Sequence, residues 1–175
     1  MFRTASLSTK LIRIGASLLV VALASISLTL WVTWQLEGGA AAVNEAGRMR
    51  MQSWRLASAV QTSLSPASLG SLVSQFDDSL TLLRTGDPSR PLFVPWDDDV
   101  DVKFAEVDRI WTQRRGQWLA AAPMSATESV MAAEEFVTAI DALVLSIEQQ
   151  LSRLTAILNL FQFVMMALAI IGAVV

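Results

Sequence analysis

Two stretches without a charged side chain, residues 14–36 and 154–175, constrain this 175-residue chain more than any other feature. They are 23 and 22 residues long. At a helical rise of about 1.5 Å per residue, each covers a hydrocarbon core of roughly 30 Å with little to spare. The pattern predicts two transmembrane helices. It divides the chain into a cytoplasmic N-terminus over 1–13, a first span over 14–36, an outer domain over 37–153 and a second span over 154–175. A cleaved signal peptide is the alternative for the first run, with Ala40-Ala41-Ala42 as its small-residue site. The run is, however, longer than the usual apolar length of about 7–15 residues. A composition of 53% hydrophobic and 17% charged residues fits a chain partly housed in lipid.

Orientation follows from Arg3, Lys10 and Arg13, which no acid opposes before Glu37. Positive flanks stay in the cytoplasm, so residues 37–153 are expected outside it, with Trp31 and Trp34 at the outer interface. In a bacterium this places the chain in the inner membrane and its central domain in the periplasm. The chain reaches Val175 without a basic flank after the second run, which reads as part of a longer protein.

The chain has no Cys and no His. That removes disulfide frameworks, thiolate or imidazole metal sites and Ser-His or Cys-His nucleophile pairs. No catalytic residue, metal or cofactor is expected, and this chain is not expected to be an enzyme. A net charge of −3 gives no general attraction for nucleic acid.

Between the spans, Pro and Gly mark off four segments that all read as helices, predicting an all-α, antiparallel four-helix bundle flanked by the two spans. The first runs from about Gly39 to Leu64 and continues the first span. Ser65-Pro66 supplies a cap and a first-turn proline for the second, whose Leu69, Leu72, Val73, Phe76, Leu80 and Leu83 recur at three and four, up to Gly86. Pro88, Pro91 and Pro95 make the next stretch a loop. Asp97, Asp98, Asp99 and Asp101 then open the third helix. Capping and the helix dipole account for these acids, and Val102 stands where a calcium loop needs its glycine. Phe104, Val107, Trp111 and Trp118 form the core face of that helix, which stops before Pro123. Ser125-Ala126-Thr127-Glu128 is a capping box for the fourth. Its seam runs Val130, Ala133, Val137, Ile140, Val144, Ile147, Leu151, Leu154 and Leu158, in phase into the second span.

The first helix has two rows that want partners. Ala42, Ala46, Met49, Ser53, Leu56 and Val60 form one, and Leu36, Ala40, Val43, Gly47, Arg50, Trp54, Ala57, Gln61 and Leu64 the other. One packs inside the bundle and the other is left for a second copy, predicting a homodimer through the first helix. Arg50 stands where an apolar residue is expected, one turn after Gly47. Across a two-fold axis it would meet its own copy, and a small planar anion would relieve the repulsion by accepting hydrogen bonds from both guanidiniums. Arg48, Arg50 and Arg55 concentrate three positive charges in a segment with ten basic and sixteen acidic residues. Three arginines coating a solvated helix face would look the same.

Residues 44–57 carry a family resemblance. Asn44, Ala46-Gly47, Arg50-Met51-Gln52-Ser53, the aromatic Trp54 and Arg55-Leu56 resemble the P box of bacterial nitrate/nitrite sensor histidine kinases of the NarX and NarQ type. The layout of two spans around an outer domain is similar as well. The resemblance implies a dimeric periplasmic sensor of nitrate or nitrite, with Arg50 as the anion-binding arginine of both subunits and Gly47 and Met51 as its neighbours. It also implies a response regulator as partner of a kinase beyond the second span. Glu45 and Trp54 depart from the lysine and tyrosine of the family pattern. The alternative with the same architecture is a chemoreceptor of the pilus-type methyl-accepting group, whose ligand need not be nitrate.

Overall fold

The structure, a computed structural model, describes residues 7–120, 122 and 124–174. Arg3, the side chains of Lys10 and Arg13, and Pro123 lie outside the described residues. Four helices follow one another: α1 (Leu7–Gln61), α2 (Pro66–Thr85), α3 (Asp98–Trp118) and α4 (Ala126–Val174). There is no strand among the described residues, and a single bridge joins Asp87 to Leu92.

The chain divides into two compact units: Gln35–Ser152, and the flanking stretches of α1 and α4. The flanking stretches expose their large apolar side chains, Leu18, Leu30, Leu160 and Phe163 among them. Such a surface is costly in water and suited to lipid. Both α1 and α4 are long and apolar enough to cross a membrane.

Local chemistry sets the helix ends in Gln35–Ser152. Ser65 caps α2 by accepting from the Ser68 N–H, with Pro66 in the first turn where its missing donor costs nothing. Asp97 caps α3 by accepting from the Val100 N–H at 2.8 Å. Ser125 and Glu128 form the reciprocal capping box ahead of α4, at 2.8 and 3.2 Å. The Ser125 backbone and side-chain hydrogen bonds hold the Glu128 carboxyl below its ordinary pKa.

All four helices contribute to one core. The α3 face of Phe104, Val107, Trp111 and Trp118 is buried as expected. Phe76 of α2 stacks on Trp111 with centroids 3.9 Å apart and meets Phe136 of α4 edge-on at 4.6 Å. Contacts between neighbours run in opposite directions along the chain. Gly39 abuts Leu151 while Arg50 meets Asp141, and Asp77 meets Arg115 while Arg84 meets Asp108. α1 and α4 therefore run antiparallel, as do α2 and α3.

Close approach at one end depends on two α1 glycines. A Cβ on Gly38 would stand 2.2 Å from the Phe93 ring, and one on Gly39 2.6 Å from Leu151. Phe93 also donates its backbone N–H to the Gly38 carbonyl at 3.5 Å. The loop between α2 and α3 is thus fastened onto α1, and Gly86 begins it at φ 75°, a conformation favourable for glycine.

Candidate functional site

The arginine-bearing segment is uninterrupted helix, and its apolar row decides how it faces. Ala42, Ala46, Met49, Ser53 and Leu56 are buried in the unit's own core, as the first of the two rows predicts. Burying that row turns Gly47, Met51 and Trp54 outward on the opposite side. Met51 is 55% exposed and Trp54 43%. A Cβ placed on Gly47 would meet nothing within 4 Å. Within one chain, this face is unfilled.

Arg50 lies at the edge of that face, half-buried, with its Nε 2.8 Å from Oδ1 of Asp141 on α4. The Nε is itself buried, but its N–H is not directed at the carboxylate, so the contact is an ion pair by proximity and not a formed hydrogen bond. The remaining guanidinium nitrogens keep their donor capacity. Guanidinium groups in general can donate a pair of parallel hydrogen bonds to the oxygens of a carboxylate or another planar anion.

Arg48 faces elsewhere. Its guanidinium pairs with Glu45 one turn earlier and donates to Ser79 Oγ on α2 at 3.2 Å. Glu45 is only 4% exposed, with Arg90 of the α2–α3 loop 3.9 Å away. Ser79 in turn donates to Gln52. This network, in which the half-exposed Arg48 and Arg90 reach the buried Glu45, satisfies a carboxylate that would otherwise be expensive to desolvate.

These contacts correct the picture of an uncompensated positive cluster. Two of the three arginines have acids of the same chain beside them, and Arg48 does not share the outward face of Gly47 and Met51. Counting charge along the sequence missed Asp141 because it comes from another helix. The available signal was a lone acid inside the apolar stretch Val137 to Ile147 of the α4 seam.

Elsewhere, the last turn of α1 and the ends of α2 and α3 enclose an apolar recess of about 470 Å³, lined by Val60, Leu64, Leu69, Trp118 and Met124. None of the three candidate residues Arg50, Gly47 and Met51 lines it. Among the described residues no group of three His, Cys, Asp or Glu side chains is arranged to hold a metal ion.

The family model described as PilJ, the N-terminal part of type IV pili methyl-accepting chemotaxis transducers, matches residues 31–143, well over half of the chain. The matched stretch holds Arg50, Asp141 and all of α2 and α3. It corresponds to the chemoreceptor alternative and not to the nitrate/nitrite sensor kinases that residues 44–57 resemble. No curated protein matches the chain.

Proposed function

We propose that this chain, which belongs to the PilJ family of methyl-accepting chemotaxis transducer N-terminal domains, is the ligand-sensing and membrane-spanning part of a bacterial sensory transducer. The observation that carries the reading is the family match over a helical unit that both α1 and α4 prolong as long apolar helices. Residues 14–36 and 154–175 then cross the inner membrane and residues 37–153 stand in the periplasm. A ligand that binds one helix packing better than another would shift the balance between them, and α1 and α4 would carry that shift toward the spans.

Single-cysteine labelling tests this reading, because the chain has no cysteine of its own. In intact spheroplasts, a membrane-impermeant maleimide should label Gln61→Cys fully and Thr4→Cys only after lysis. Labelling of position 4 before lysis, or none at position 61, would overturn it.

A second, finer reading is favoured by Arg50, whose fork is held beside the unfilled surface at Gly47. On this reading two copies meet through α1, and nitrate or nitrite binds between paired Arg50 side chains with Gly47 and Met51 as neighbours. A histidine kinase with its response regulator is the output this reading shares with the sensor kinases, and a methyl-accepting signalling domain is the output that suits the family. Thermal unfolding of the detergent-solubilised chain separates the possibilities. Nitrate at about 100 times its Kd should add roughly 2.7 kcal/mol of stability to wild type. Chloride should add none, and Arg50→Lys should abolish the gain. No nitrate effect on wild type would leave the transducer with a different ligand.

A further inference from the structure

The recess of about 470 Å³ lies where α1 turns into α2 and α3 leads toward α4, wholly within Gln35–Ser152. Trp118 belongs both to its lining and to the core, at 5% exposure. Val60, Leu69 and Met124 are partly buried and pack against the same core, while Leu64 stays 45% exposed. A concavity of a few hundred Å³ with apolar walls matches the pockets that take small molecules, whereas a stable protein interface needs roughly 800 Å² per partner.

The lining sets the class of guest. It contains no charged side chain, so an entering ion would lose its hydration and gain no countercharge. Two polar side chains, Ser63 and Gln117, interrupt the apolar wall. The Gln117 side-chain oxygen accepts from Arg114 at 3.1 Å, which leaves its amide N–H groups as donors for a guest. Ser63 stands at φ 54°, where glycine would be unstrained and serine is not. What serine adds at that position is a hydroxyl in the lining of the recess. Met124 adds an unbranched side chain that adjusts to the shape of what it covers.

We propose that this recess binds an uncharged small molecule with an apolar ring or short chain and a single hydroxyl or carbonyl group. The apolar part lies against Trp118 and Leu69, and the polar group meets Ser63 and Gln117. The site is formed within the helical unit alone. It therefore stands or falls separately from the membrane topology, which the labelling at positions 4 and 61 tests, and from anion binding at Arg50.

Phenol, uncharged at neutral pH, is the probe, and benzoate, with the same ring and a charge, is its control. The full chain, carrying carbon-13 in its methionine methyl groups, is placed in lipid nanodiscs and titrated with each. Of the methionines, Met124 lines the recess, and Met51 and Met131 are exposed elsewhere on the unit. Met165 and Met166 lie in the second uncharged run and report probe dissolved in lipid. Phenol should shift the Met124 resonance to saturation and leave Met51 and Met131 in place, and benzoate should shift none of the three. Gln117→Leu should weaken phenol binding roughly fivefold through loss of one hydrogen bond. Leu64→Trp should fill the recess and abolish the shift. Both positions are exposed, so neither variant removes a core side chain. A Met124 resonance that stays put, or that moves without saturation in step with Met165 and Met166, would overturn the site. An equal response to benzoate would overturn the uncharged class. Unchanged affinity in Gln117→Leu would overturn the hydrogen-bonding contact, and unchanged affinity in Leu64→Trp the recess itself.

Discussion

Arg50 of α1 and Asp141 of α4 lie with Nε and Oδ1 2.8 Å apart, although the Nε–H does not point at the carboxylate. The acid stands where an anionic ligand of Arg50 would be drawn. If Arg50 is an anion-binding residue, Asp141 competes for it in the ligand-free chain.

Asp141→Asn separates these roles. Both side chains are more than a third exposed, so losing the pair should lower ligand-free stability by less than about 1 kcal/mol. The nitrate-induced rise in Tm should become larger than in wild type, since no carboxylate contends for the guanidinium. A smaller rise would show that Asp141 positions Arg50 and does not compete with the anion.

Gly47→Ala reports on whether the outward face of α1 is covered. With nothing within 4 Å of the new methyl group, the helix should gain up to about 1 kcal/mol from the removal of glycine. Urea unfolding of dilute, detergent-solubilised chain measures that gain. In a homodimer through α1 the same methyl group would enter the interface, so crosslinking at higher concentration should fall. Undiminished crosslinking would place any dimer contact elsewhere.

Asp77 ties α2 to α3 through the Trp111 indole N–H at 2.7 Å and the Arg115 guanidinium at 2.8–3.0 Å. Burial pushes its carboxyl pKa up, but the Arg115 and Trp111 hydrogen bonds outweigh this and hold it below the ordinary value. A depressed pKa means stability that is present above the unfolded-state value and lost as pH falls through the folded one. Wild type should therefore lose stability below about pH 4. Asp77→Asn should cost about 1–2 kcal/mol at pH 7 and progressively less toward pH 3. Denaturant titrations across that range check the convergence of the two curves.

Ser63, two residues past the end of α1, has φ 54°, and there the Leu64 N–H returns to the Ala59 carbonyl and the Ser63 N–H to that of Val60. The left-handed position of such a terminus favours glycine. Ser63→Gly should raise stability by about 1 kcal/mol, and Ser63→Ala should not. Equal melting temperatures for the two variants would show that the backbone is unstrained there.

The helices were legible because their information is local. Proline in a first turn, a serine three residues before a glutamate and apolar side chains at three and four act within one or two turns, so Ser65, Ser125 and the α2 and α3 core rows appear where they were expected. The two uncharged lengths fall in α1 and α4, the helices that are long and apolar enough to cross a membrane. Local spacing also placed the row through Met49 in the core, whereas the row through Gly47 is mixed, with Ala57 buried, Val43 packed against the core and Trp54 exposed.

Tertiary structure alone decided which charges meet. Arg48 and Arg50 look equivalent in the sequence, two residues apart. They point about 200° apart around a helix that turns roughly 100° per residue. One therefore reaches Ser79 on α2 and pairs with the buried Glu45, while the other reaches Asp141 on α4. The order of neighbours around the bundle and the fastening of Phe93 over Gly38 follow from how whole helix surfaces interlock. Periodicity along one helix specifies the face that is buried, and only packing among all four specifies what that face, and its edges, will touch.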